Sequence, residues 1–257
     1  MRKPVKPKTE KPSQKANMVP LWETEARSGP KMEARAHILE AAAHAFMERG
    51  YAAATLDQVA KRLGTTKGQI YHYYRSKSDL FFDVVVGAHF IVNEKTSPIA
   101  EMVELAPAER LWRMIYAHAL VIMNTYAYQR VALEATQHQL VSELNARQNR
   151  AMKRVMKFRD DYEKCASDII ASGMERGDFA QTNLKIATKA ALGSLHWLIV
   201  WYDPTRSIGT SSQHEIAVST AAFAIAGLRG SQADFAAGAR TKFPKFELIA
   251  VKSDRNC

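Results

Sequence analysis

Apolar positions recur at helical spacing from about residue 32 onward, and no alternating, strand-like segment of useful length interrupts them before the C-terminal tail. Ile38, Leu39, Ala42, Ala43 and Phe46 draw one apolar face, and Gly50 stops that helix. Thr55 is suited to cap a second helix, with Leu56, Val59, Ala60 and Leu63 on its inner face and Gly64 at its end. Thr66 opens a short third helix through Ile70 to about Tyr74. Ser76 opens a fourth, which carries Leu80, Phe81, Val84 and Val85 on to about Glu94. Pro98 and Pro107 suit the first turns of helices and mark breaks. Longer helices are predicted over 108–136, over 142–176 with Gly177 as the stop, over 184–202 ahead of Asp203-Pro204, and over 214–228. A polar loop is expected at 207–212. The pattern predicts an all-α fold. Residues 1–30 lack the period and read as a disordered basic tail; residues 231–257 lose it again and form a C-terminal tail, either docked coil or disorder.

Composition narrows the class. The chain has 257 residues, is 47% hydrophobic, and carries a formal net charge of +10. Such a length buries a real core in one large or two modest domains, and the basic balance favours a polyanionic partner, nucleic acid before an anionic membrane surface. Cys165 and Cys257 stand too far apart for a disulfide framework or metal cluster, so a cytoplasmic setting is expected. No secretory h-region follows the basic start, and no run reaches the ~18 apolar residues of a membrane span, so no membrane partner is expected. No Ser/His/Asp, Cys/His or metal-ligand spacing and no Gly-rich phosphate loop occurs, which argues against an enzyme and implies no cofactor. His37, His44, His118, His138, His196 and His214 sit singly on helices.

The stretch TLDQVAKRLGTTKGQIYHYY at 55–74 has the plan of a helix-turn-helix, whose second helix enters the major groove of DNA. Val59, Ala60, Leu63 and Ile70 supply a shared apolar core, and Gly64 allows a positive φ in the turn. Thr66 caps the second helix and leaves amide N–H groups facing outward, where a phosphate can sit. Lys67, Gln69, Tyr71, His72 and Tyr73 populate its outer faces, and Lys77 follows.

With Ile38-Leu39-Glu40-Ala41-Ala42, Phe46, Gly50-Tyr51 and Ser76-Lys77-Ser78-Asp79-Leu80, this stretch resembles the TetR family over about residues 33–93. Thr65 stands where the family usually has Val, and Tyr74 where Phe is commoner. The resemblance implies a dimeric regulator, mostly a repressor, that binds double-stranded operator DNA and is released by a small-molecule effector. It implies a three-helix DNA-binding domain at 31–93 and a helical effector-binding and dimerisation domain at 95–230. Gln69 and Lys67 then address base edges, whose donors and acceptors an amide and an ammonium match. Thr55, Thr66, Tyr71, Tyr73 and Lys77 contact phosphates, His72 does either, and Gly68 belongs to the same contacting segment. Tyr74 is expected in the core.

Residues 173–204 resemble the steroid- and fatty-acid-catabolism subgroup, whose members respond to acyl-CoA thioesters. Many of those members carry a basic residue beside the two aromatics; here Val200 and Trp201 occupy that stretch, and Arg206 is the nearest Arg. Residues 111–128 are apolar almost all round, so the helix is surrounded by protein, and His118, Asn124 and Thr125 need partners if buried. Met123, Tyr126, Trp197 and Trp201 are the expected walls of a ligand pocket. Arg147, Arg150, Lys153 and Arg154 form a basic run that either faces solvent or meets a nucleotide-bearing ligand. Small residues on the last two helices, from Ala187 to Ser194 and from Ala217 to Gly227, permit close helix approach; in the family such helices form the homodimer interface. The rival reading is a non-specific architectural DNA-binding protein, with no ligand cavity and indifferent to change at Gln69.

Overall fold

The computed structural model describes residues 30–137, 144–206 and 212–230, and among these every regular element is a helix. The tail expected at 1–30, bar its last residue, the tail at 231–257, His138 and most of the loop at 207–212 lie outside the described residues. The chain divides into two compact units between Val84 and Val85.

The N-terminal unit holds α1 (Pro30–Ala53), α2 (Leu56–Arg62), α3 (Lys67–Tyr71) and the start of α4 (Lys77–Ala100). Helix α1 kinks at Gly50, whose φ is 71°. Phe46, Ile70, Tyr74, Leu80 and Phe81 are all but inaccessible and form the centre of this core, with Phe46 and Phe81 packed edge to face at 5.3 Å. One ion pair is built into it. Arg35 Nη2 donates to Asp83 Oδ2 at 3.0 Å, and Arg35 Nε donates to the Tyr74 hydroxyl at 3.2 Å. Gly64 turns the chain between α2 and α3 with φ 66°, a left-handed conformation that a Cβ disfavours. Thr65 N–H closes this turn on Ala60 O at 2.9 Å.

The C-terminal unit follows with α5 (Pro107–Asn124), α6 (Tyr126–Gln137), α7 (Ala146–Arg176), α8 (Leu184–His196), α9 (Leu198–Trp201) and α10 (Gln213–Arg229). Helix α5 is its axis and packs against each of α6 to α10. Its buried residues include Leu111, Met114, Ile115, Ile122 and His118, and the His118 imidazole meets the Tyr162 hydroxyl at 2.7 Å. Helix α7 starts at a capping box of Asn145 and Gln148 and stops at Gly177, φ 80°.

Three boundaries differ from the expectation. The single helix predicted over 108–136 is two, because Thr125 leaves the helical region (φ −118°, ψ 33°) and its hydroxyl donates to Val121 O at 2.7 Å. The helix predicted over 184–202 breaks at Trp197. Helix α4 runs past Glu94 to Ala100 and takes Pro98 into its last turn, so no helix end marks a boundary at 93–95. No helix among the described residues is long and apolar enough to cross a membrane.

Candidate DNA-binding surface and internal cavity

Helix α3 has five residues and turns one inward. Ile70 is buried, whereas Lys67, Gly68, Gln69 and Tyr71 are exposed, together with Thr55, Thr66 and His72. Tyr73 is half-buried, and Tyr74 is shut inside. So short a helix does not hold its shape alone in water; Ile70 and Tyr74 anchor it from beneath. Thr66 caps it, its hydroxyl accepting the Gln69 N–H at 3.4 Å. Thr55 caps α2 in a reciprocal box: Gln58 N–H donates to Thr55 Oγ1 at 3.3 Å, and Thr55 N–H to Gln58 Oε1 at 3.0 Å. The Thr65 hydroxyl donates to the Gln69 side-chain oxygen and leaves the amide NH2 for an outside acceptor. Lys67 Nζ lies 2.8 Å from Asp57 Oδ2, and this hydrogen bond holds its ammonium above the ordinary lysine range. Both partners are exposed, so the pair is weak and a phosphate or base edge can displace Asp57.

Lys77 does something other than expected. Its ammonium donates to three carbonyls after the α1 kink, Tyr51 O at 2.8 Å, Ala52 O at 3.1 Å and Ala54 O at 3.0 Å, and lies 4.6 Å from the Tyr51 ring centroid. Three N–H groups on three acceptors leave none for a phosphate. Lys77 closes the end of α1.

The C-terminal unit encloses a cavity of about 340 Å³. Val92, Ala132, Leu133, Phe158, Leu192 and Ile199 give it apolar walls; His89, Asn93, His118, Gln129, Tyr162 and His196 give it polar ones. Gly193, Arg159, Glu163 and Lys189 complete the lining, with Lys189 Nζ 2.5 Å from Glu163 Oε2. Burial pushes all three imidazoles down, His89 to about 4, and the Arg159 charge adds to this at His89 and His196. They are neutral at pH 7. Burial raises the Tyr162 phenol, which stays protonated. No group of three or more potential ligands is arranged for a metal among the described residues.

A second concavity lies on the outside of the same unit, lined by Ser194, Trp197, Trp201, Glu215, Ile216, Ser219, Thr220 and Phe223. Phe223 is 72% exposed and Trp197 62%, a high apolar exposure for one face.

Two family models match. One for bacterial regulatory proteins of the tetR family covers residues 38–84, and one for the tetracyclin repressor-like C-terminal domain covers residues 104–228. The chain belongs to the TetR family of transcriptional regulators. The HTH-type transcriptional regulator AcrR of Shigella flexneri is 40% identical over 52 residues, 20% of this chain and 24% of AcrR. The chain thus spans about a quarter of that curated relative's length. The TetR-family regulator PfmR of Thermus thermophilus superposes with a TM-score of 0.64 at 26% identity, over 75% of this chain and 99% of PfmR. AibR, solved in complex with isovaleryl coenzyme A and operator DNA, shares the fold at a TM-score of 0.58 and 18% identity, over 74% of this chain and 96% of AibR.

In this TetR-family chain the four expected pocket walls do not line the cavity. Met123 is buried in the general core and Tyr126 packs edge to face on Tyr202 at 5.6 Å. Trp197, at the break between α8 and α9, and Trp201, the last residue of α9, face outward. The residues that do line it come from α4 to α9, and the sequence flagged only His118 as a buried polar group in need of a partner. His89 on α4 and Arg159, Tyr162 and Glu163 on α7 had no local signal: nothing in their own stretches sets them apart from neighbouring polar residues, and packing alone brings the two helices' groups together. Of the basic run on α7, Arg147, Arg150, Lys153 and Arg154 all lie outside the lining.

Proposed function

We propose that this TetR-family chain is a sequence-specific repressor that binds operator DNA as a homodimer and is released by a small effector held in the C-terminal cavity. The observation that carries this reading is the division of α3: Ile70 inward, and Lys67, Gly68, Gln69 and Tyr71 outward on a capped rod. Gln69 and Lys67 address base edges; Thr55, Thr66, Tyr71 and Tyr73 hold phosphates, with His72 able to do either. The exposed groove of Trp197, Trp201 and Phe223 is the proposed interface, and two-fold symmetry there sets two recognition helices about 34–36 Å apart or a multiple of it. Helix α4 contributes Leu80 and Phe81 to the N-terminal core and His89 and Val92 to the cavity, so an effector that prefers one setting of α4 biases the other unit. Such a regulator works in the cytoplasm. AibR, bound to a CoA thioester and operator DNA, supports the pairing of effector and operator on this fold. The cavity takes at most the acyl part of such a ligand, since about 340 Å³ is at the small end of ligand sites.

Selection of bound fragments from genomic DNA at fixed salt tests the reading. A palindromic site is expected for the wild type, with relaxed preference at one position of each half-site for Gln69→Ala. Absence of any preferred sequence establishes the architectural alternative instead.

A further inference from the structure

The cavity has an unmet hydrogen bond inside and, at its solvent-exposed rim, a cation without an ion-pair partner, Arg159. Lys189 and Glu163 neutralise each other at 2.5 Å. Arg159 makes no ion pair with any described residue, yet its charge reaches both His89 and His196. His89 Nε2 is buried and has no hydrogen-bond partner. A buried imidazole nitrogen left so is unfavourable unless something enters to meet it.

We propose that the cavity receives a compact organic monocarboxylate, its apolar body among Val92, Leu133 and Phe158 and its carboxylate between Arg159 and His89. This rests on the reading of the cavity as the effector site and names the effector's chemistry. One rim cation without a partner among the described residues suits a monoanion; the second charge of a phosphate dianion would gain no further cation from the lining, since Lys189 is paired with Glu163. The guanidinium fork matches a carboxylate in two parallel hydrogen bonds, and a neutral imidazole donates a third from Nε2. Apolar walls require a hydrocarbon body, and a volume of about 340 Å³ keeps that body short. A free acid therefore suits the site better than its CoA thioester, whose carbonyl carries no charge and whose nucleotide would have to stay outside the cavity.

Isothermal titration of the full chain tests this with octanoate and 3-phenylpropionate against octanamide, octyl phosphate and octanoyl-CoA. At least one carboxylate is expected to bind about ten- to a hundredfold tighter than octanamide, the margin of charge-assisted hydrogen bonds. Arg159→Met is expected to abolish that margin while its thermal melt matches wild type, and Lys153→Met, outside the cavity, to keep it. Equal binding of octanoate and octanamide, preference for octyl phosphate or octanoyl-CoA, or no binding of either carboxylate overturns the proposal. Release of a selected operator fragment is measured separately: a carboxylate that binds without releasing DNA leaves the receptor standing and removes the effector reading.

Discussion

Lys77 shows how a correct residue type can carry the wrong role. A lysine just beyond a recognition helix reads as a phosphate ligand, and nothing local distinguishes that from a cap. The distinction lies in Tyr51, Ala52 and Ala54, whose carbonyls come from more than twenty positions away. Lys77→Met is therefore expected to destabilise the protein by about 1–3 kcal/mol in urea unfolding, the range for hydrogen bonds to a charged donor. The salt slope of operator binding is expected to stay unchanged, whereas loss of a phosphate contact makes it shallower by about one. An unaltered unfolding curve with a shallower slope restores the phosphate role. Tyr74 was legible as core because it stands where the family resemblance places a packed Phe, and it is fully buried. The outward Trp197 and Trp201 were not, because exposure of an aromatic depends on what covers it beyond its own chain.

Helix starts and stops could be read from single residues. Thr55, Thr66 and Ser76 each accept an N–H from three residues on, and Gly177 takes the left-handed conformation of a stop. The breaks at Thr125 and Trp197 could not, since the apolar period runs through both without a phase change. Gly173 was equally silent. A Cβ built on it would overlap Cδ2 of Phe179 and sit 2.5 Å from Cε2 of the same ring, which is 3% exposed. Gly173→Ala must push that ring or the end of α7 aside, so a loss of about 1–3 kcal/mol is expected, as for other overpacked cores. Urea unfolding measures it; a variant as stable as wild type means that Phe179 has another rotamer available.

At the scale of the molecule, the neutral imidazoles tie stability to pH. His89 is held at about 4, while an unfolded histidine titrates near 6.5. The native protein therefore binds fewer protons than the unfolded chain between these values. Stability is full above pH ~6.5 and falls as pH drops towards 4, with His89 alone accounting for up to about 3 kcal/mol. His118 and His196, also pushed down, steepen the fall. Urea midpoints between pH 7 and 4.5 should decline, and His89→Leu should flatten part of that decline; a flat wild-type profile rules it out. Assembly is a separate matter. Phe223→Glu, on the outer groove, is expected to shift sedimentation from dimer to monomer and to weaken binding to a palindrome far more than to a half-site. An unchanged dimer moves the interface elsewhere.

The division of labour within Lys67–Tyr71 has a consequence for descent. Foldedness asks for Ile70 there and little else, and even Gly68 has open space around it, with Thr66 Oγ1 the nearest atom at 3.7 Å from an added Cβ. With those outward positions as the proposed operator contacts, duplicated copies of the gene can drift there and acquire new promoters while every intermediate still folds. Address and architecture are inherited separately.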